Sequence, residues 1–218
     1  MIAAVKAKED WIVPVEICVG LSAMSFWEKF FKDEAELGFD KFMESRGEQN
    51  VNMGLWEEAK PGDDGVIFGH RATQMRQMTM VVQVKGNPMV KECPTTKTYY
   101  LIENSATKLH VFCRNNTREV PYCDSFQVIE EFLLLSPDPS TQPEIKSGAL
   151  RMSFHLQWLK STLMKSLIRG NVETETKAVF NGFVENLIKA KKLAFVEKKA
   201  PVSSKKGRSM MVESSLHL

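Results

Sequence analysis

Between Leu150 and Trp158 the sequence alternates without interruption: Leu150, Met152, Phe154, Leu156 and Trp158 are apolar, while Arg151, Ser153, His155 and Gln157 are polar. A period of two belongs to a β-strand, whose side chains point to opposite faces in turn, and so clean a split predicts an antiparallel strand with one dry and one wet face. Immediately afterwards the period changes. Leu163, Leu167 and Ile168 open an apolar stripe at helical spacing, Gly170 is a weak point, and Val172, Val179, Phe180, Phe183, Val184, Leu187 and Ile188 carry the stripe on to about Phe195. A one-sided sheet and a one-sided helix each have an apolar surface to cover. Covering one with the other gives an α+β fold, a curved antiparallel sheet wrapped around a long C-terminal helix. Such a wrap encloses a cavity unless bulky side chains fill it.

The upstream sequence supplies the rest of the sheet. Trp11 to Val19 reads as a first strand; Ser22 is placed as an N-cap for a short helix carrying Phe26, Trp27, Phe30 and Phe31, and a second short helix spans Phe39 to Ser45. Gly47 and Gly54 punctuate the segment up to Trp56. Asp63-Asp64-Gly65 reads as a turn, and Val66 to Val84 as extended chain with Met78, Met80, Val82 and Val84 on one face. Thr98 to Glu103 and Lys108 to Arg114 form a hairpin closed by Asn104 to Thr107. Phe126 to Leu135 is another strand, and Pro137, Pro139 and Pro143 mark a long loop. The expectation is five or six antiparallel strands before the long helix.

Composition narrows the function classes. Of 218 residues, 43% are hydrophobic, enough to offset the entropy of ordering a domain-sized core. The longest strongly apolar stretches, such as Phe132 to Leu135, are far below the roughly 20 residues of a membrane span. The first ten residues hold too short an apolar run for a signal peptide. Cys18, Cys93, Cys113 and Cys123 have no Cys-x-x-Cys spacing, so they read as free thiols in a reducing compartment, with neither metal nor cofactor called for. Charge is uneven: residues 189–218 carry eight Lys/Arg against two Glu, a basic tail on a mildly acidic body, which argues against nucleic acid as a partner. Thirteen Phe and twelve Met suit either a dense core or a pocket for an apolar ligand.

Catalytic signatures are missing from the sequence: there is no Gly-x-Ser-x-Gly, no P-loop and no His-Glu-x-x-His. His155, on the polar face of its strand, reads as a solvated imidazole, and no nucleophile–base pair stands out.

One stretch is more specific. Val120-Pro121-Tyr122, followed by Asp124 and Phe126, resembles the VASt domain, the lipid-transfer module of the Lam and Aster sterol transporters. Colinear likenesses extend over about residues 10 to 195. They comprise Phe42 with Glu44-Ser45-Arg46-Gly47, then Val51, then Gly54-Leu55-Trp56, Asn87-Pro88 in a loop, and Trp158, Lys165 to Ile168, Phe183 and Leu187 downstream. The resemblance implies a START-like helix-grip fold that holds a sterol-sized ligand between sheet and helix, under a mobile loop from Lys85 to Glu92. That loop contains Gly86, Asn87, Pro88 and Met89, and it departs from the family in having Met89-Val90-Lys91 where the family carries Leu-Gly-Pro-Lys.

On this basis residues 1–10 are read as an extension, 11–196 as the lipid-binding domain and 197–218 as a disordered basic tail. Phe154, Leu156, Trp158, Phe180, Phe183 and Leu187 are the expected cavity wall. The expected protein is a monomeric, non-enzymatic carrier of a sterol or similar lipid, cytoplasmic or on the cytosolic face of intracellular membranes such as endoplasmic reticulum contact sites, with its tail suited to anionic leaflets. The family often carries a GRAM domain before this module and a membrane anchor after it; neither is read in these residues, so the expectation is either a fragment of a longer protein or a soluble shuttle or ligand-binding module. Two other readings stay open: a regulatory interaction module with a filled or vestigial cavity, and an enzyme, which would need a cluster of inward polar residues.

Overall fold

The computed structural model describes residues 10–60, 65–84, 90–138, 140–141 and 148–197, with side chains as far as Lys189. The expected turn at Asp63-Asp64, the loop residues Gly86, Asn87, Pro88 and Met89, and nearly all of the basic tail lie outside the described residues.

The described residues hold ten strands and three α-helices; the sequence of strand, short helices, antiparallel strands and long helix is the one foreseen, with more strands than the five or six expected after the short helices. Strand β1 (Ile12–Val19) leads to α1 (Ala23–Phe26), where Ser22 Oγ accepts the backbone N–H of Ser25 as the expected cap. The helix then widens into a π-turn at Trp27–Phe31, which the apolar spacing alone did not distinguish from α. Helix α2 (Phe39–Ser45) ends at Gly47, whose φ of +93° is the left-handed stop that costs glycine least. After β2 (Gln49–Met53) and the short β3 (Glu57–Glu58), β4 (Val66–Ile67) and β5 (His70–Arg71) make a small separate ribbon. The long strands are β6 (Gln74–Gln83), β7 (Glu92–Asn104), β8 (Lys108–Thr117), β9 (Phe126–Leu135) and β10 (Gly148–Trp158), and α3 (Lys165–Glu197) follows. The sheet runs β1-β10-β9-β8-β7-β6-β2, with β3 also paired to β6 and every pairing antiparallel. Strand β2 was not expected, because an edge strand reading Gln-Asn-Val-Asn-Met has no dry face to impose alternation.

Three expectations are corrected. Leu163 precedes α3 and is fully exposed, and Leu167 is 56% exposed; only Ile168 of that first stripe is buried, because the helix starts at Lys165 and turns Leu167 outward. The polar face of β10 is not wholly wet: Ser153 is 2% exposed and donates to Glu131 Oε2 at 2.9 Å. His155 is half-buried and stacks on Trp11 with ring centroids 5.7 Å apart.

The chain divides into two compact units, Met1–Phe183 and Val184–Leu218. In the first, α3 lies on the inner face of the sheet, where Phe180 meets Phe132 and Phe154 at ring distances of 5.7 and 6.3 Å. Phe183 is fully buried among Phe26, Phe30, Phe39 and Phe42, stacking on Phe39 at 4.4 Å. The second unit is described only in its helical part, where Leu187 is buried and Ile188 is half-exposed.

Candidate functional site

Register decides which side chains share the inner face, because directly opposed residues in antiparallel strands project to the same side. One cross-strand row reads Arg76, Tyr99, Cys113, Glu130, Phe154 from β6 to β10, and the next reads Met78, Lys97, Asn115, Val128, Leu156. On one side of these rows lies an apolar row of Leu101, Val111, Phe132 and Met152, which the aromatic cluster of Phe180 and Phe183 covers. Polar groups are therefore set into the middle of an otherwise greasy surface.

These groups are closely joined. Lys97 and Glu130 are 5% and 4% exposed, and Lys97 Nζ donates to both carboxylate oxygens at 3.0 Å. Asn115 Nδ2 donates to Glu130 Oε1 at 2.7 Å, and the Cys113 thiol donates to Asn115 Oδ1 at 3.5 Å. Burial alone would push the Lys97 ammonium down, but the attraction of Glu130 outweighs it and holds the pKa above its ordinary value. Burial pushes the Cys113 thiol far up, so it stays protonated. The Tyr99 hydroxyl lies beside that thiol, and its own pKa is raised well above normal by burial. Arg76 lies over the rings of Trp56 (4.5 Å) and Tyr99 (5.4 Å), its Nε unpartnered among the described residues and its pKa lowered by burial. With its carboxylate tied by two donors and its thiol un-ionised, the cluster offers hydrogen bonds rather than an activated nucleophile.

Beside the cluster a cleft of about 430 Å³ opens between the start of β1 (Asp10, Trp11, Ile12), the end of β10 (Phe154 to Trp158) and the first turns of α3 (Arg169, Val172, Glu173). Apolar and charged side chains both line it. Phe154, itself fully buried, closes the inner end; it is the cross-strand partner of Glu130, as Leu156 is of Val128. Two of the residues that line the cleft thus share cross-strand rows with the polar cluster.

Of the residues expected to form a cavity wall, Phe154, Leu156 and Trp158 come together along this cleft, whereas Phe180 and Phe183 enter the aromatic core. Val120, Pro121 and Tyr122 form a tight turn that Cys123 N closes onto Val120 O at 3.2 Å, a second turn follows with Ser125 N on Tyr122 O at 2.9 Å, and Phe126 pairs with Trp158 at the end of the sheet. Lys97, Asn115 and Glu130 escaped the sequence reading. Their signal was phase: Glu130 stands in step with Val128 and Phe132 on an apolar strand face, where a charge survives only with a partner.

A curved antiparallel sheet of eight strands with early short helices and a long C-terminal helix on its inner face defines the START-like helix-grip class of α+β proteins. The family model for VASt, described as VAD1 Analog of StAR-related lipid transfer domain, matches residues 15–175, and the chain belongs to that family. It is a START-like lipid-binding module, of a family defined by lipid binding and transfer and not by an enzymatic reaction. No described helix is long and apolar enough to cross a membrane.

Proposed function

We propose that this protein binds a sterol or similar lipid between sheet and helix, with Phe154, Leu156 and Trp158 against the ligand, and carries it between membranes. The family match carries the reading, and the interior chemistry agrees with it. A sterol is a rigid apolar body with a single hydroxyl; Phe154 and Leu156 line the cleft, and the hydrogen-bonding cluster at Lys97, Asn115 and Glu130 lies on the same face of the sheet, with Glu130 cross-strand from Phe154. The cleft volume of about 430 Å³ is in the range that ligand sites occupy. Burying a few hundred Å² of ligand at ~25 cal/mol per Å² supplies several kcal/mol, enough to compete with a bilayer without sealing the ligand in. The same reading takes residues 11–196 as the lipid-binding domain of a monomer working on the cytosolic face of intracellular membranes, with the basic segment beyond it drawn to anionic leaflets.

A second reading has its own support. Phe183 fills its site with four aromatic neighbours, so that part of the interior is packed and not hollow, as an interaction module with a filled cavity requires. One experiment separates the two. Lipid extracted from the purified protein is identified by mass spectrometry, and uptake of dehydroergosterol from liposomes is followed by fluorescence. A co-purifying sterol-class lipid and saturable uptake are expected; protein that is lipid-free and takes up no dehydroergosterol overturns the carrier reading in favour of the filled module.

A further inference from the structure

Four of the exposed large apolar side chains fall on the segments just before β9 and just after β10; others, such as Leu55 and Val66, lie on other segments. Leu163 is fully exposed, and Leu167, Leu159 and Tyr122 are 56%, 49% and 46% exposed. The segments that carry Leu159 and Tyr122 are tied together. Leu159 N and Lys160 N both donate to Ser125 O, at 2.9 and 3.2 Å, and Lys160 pairs with Asp124, which fastens the segment after β10 to the Val120-Pro121-Tyr122 turn. Tyr122 is held at φ +64°, a left-handed conformation that a bulky residue adopts only when its surroundings impose it, and such strain accumulates where function demands it. Lys165, over the Trp158 ring at 5.2 Å, and Arg169 flank the leucines, and neither has an ion-pair partner among the described residues.

We infer that this edge docks the protein on a lipid bilayer, inserting Leu159, Leu163, Leu167 and Tyr122 to the level of the headgroups while Lys165 and Arg169 meet anionic lipid. Single leucines projecting from a turn, with an aromatic beside them and unpaired cations behind, suit the graded polarity of a membrane interface; a protein partner would be matched by a flatter and more continuous apolar face. Trp158 and Arg169 also line the cleft, so docking here brings that part of its lining to the bilayer. The purpose assigned to docking rests on the carrier reading, but the docking itself requires no ligand.

The test is co-sedimentation of the full chain with phosphatidylcholine vesicles and with vesicles also containing phosphatidylserine. Binding is expected to both and tighter to the second. Leu163→Asp with Leu159→Asp should weaken it by about tenfold or more, as the loss of one or more inserted leucines implies, at an unchanged melting temperature since both side chains are exposed. Lys165→Gln with Arg169→Gln should abolish only the preference for phosphatidylserine. The inference is overturned if wild type sediments with neither vesicle, if the leucine variant sediments like wild type, or if wild type is a dimer that the leucine variant converts to monomer. Dehydroergosterol delivered from cyclodextrin, with no membrane present, keeps the two ideas separate: wild type that docks but takes up no sterol defeats the carrier reading alone, and wild type that takes up sterol but does not dock defeats this inference alone.

Discussion

Lys97 and Glu130 show what a single pair contributes when it is almost wholly withdrawn from water. Desolvating two charges costs several kcal/mol, which their attraction and the added donor from Asn115 offset, so the pair as a unit is close to neutral while either half alone is expensive. Lys97→Met should therefore destabilise the fold by about 3–5 kcal/mol in urea denaturation, because Glu130 is left as an unpaired buried carboxylate. Adding Glu130→Leu should recover most of that loss. A double variant no more stable than the single one would show that the two residues do not act as a unit. Such a recovered double variant would also tell whether the cluster serves the ligand: weakened dehydroergosterol uptake at restored stability is the mark of a binding role and not a structural one.

At the level of elements, α3 shows how one helix divides its tasks. Its inner face places Phe180 and Phe183 where α1, α2 and the sheet converge, and truncating Phe183 to Ala should cost about 3–5 kcal/mol through the cavity left among four rings. Leu167→Ala, one turn from the start of the helix and exposed, should change stability by no more than about 0.5 kcal/mol. Equal losses at the two positions, read from denaturant midpoints, would mean that Leu167 is covered in solution. The contrast was hidden in the sequence because Leu167 and Ile168 both fit a helical stripe, and only the starting residue and tilt of the helix decide which of two neighbours points inward. Strand β2 was hidden for the opposite reason: its pairing comes from backbone hydrogen bonds to β6, which leave no trace in side-chain polarity.

The whole molecule's response to acid follows from the outer face of the sheet, where Glu131 accepts from His110 Nε2 at 2.9 Å and from Ser153, with Arg151 at 3.5 Å. Burial works to raise the Glu131 carboxyl, but His110, Ser153 and Arg151 together hold it below the ordinary 4.5. A carboxyl whose pKa is lower folded than unfolded gives its stabilisation in full above the unfolded value and loses it as pH falls through the folded one. The urea midpoint should thus decline below about pH 4.5, and Glu131→Gln should flatten that decline; an unaltered slope in the variant would place the acid sensitivity elsewhere. The sequence by itself determined the order of the main elements, the dry phase of β10, the cap at Ser22 and the helix at Phe39–Ser45, because these rest on local periodicity and backbone chemistry. It also carried the family, since Val120-Pro121-Tyr122 and its colinear companions are local words. What only the tertiary structure decided was company: that Lys97, on β7, meets Glu130 on β9, that Phe180 and Phe183 go to the core while Phe154, Leu156 and Trp158 border a cleft, and that Leu163 is left bare. Those outcomes depend on strand register and helix placement, which bring together residues tens of positions apart and which no local pattern encodes.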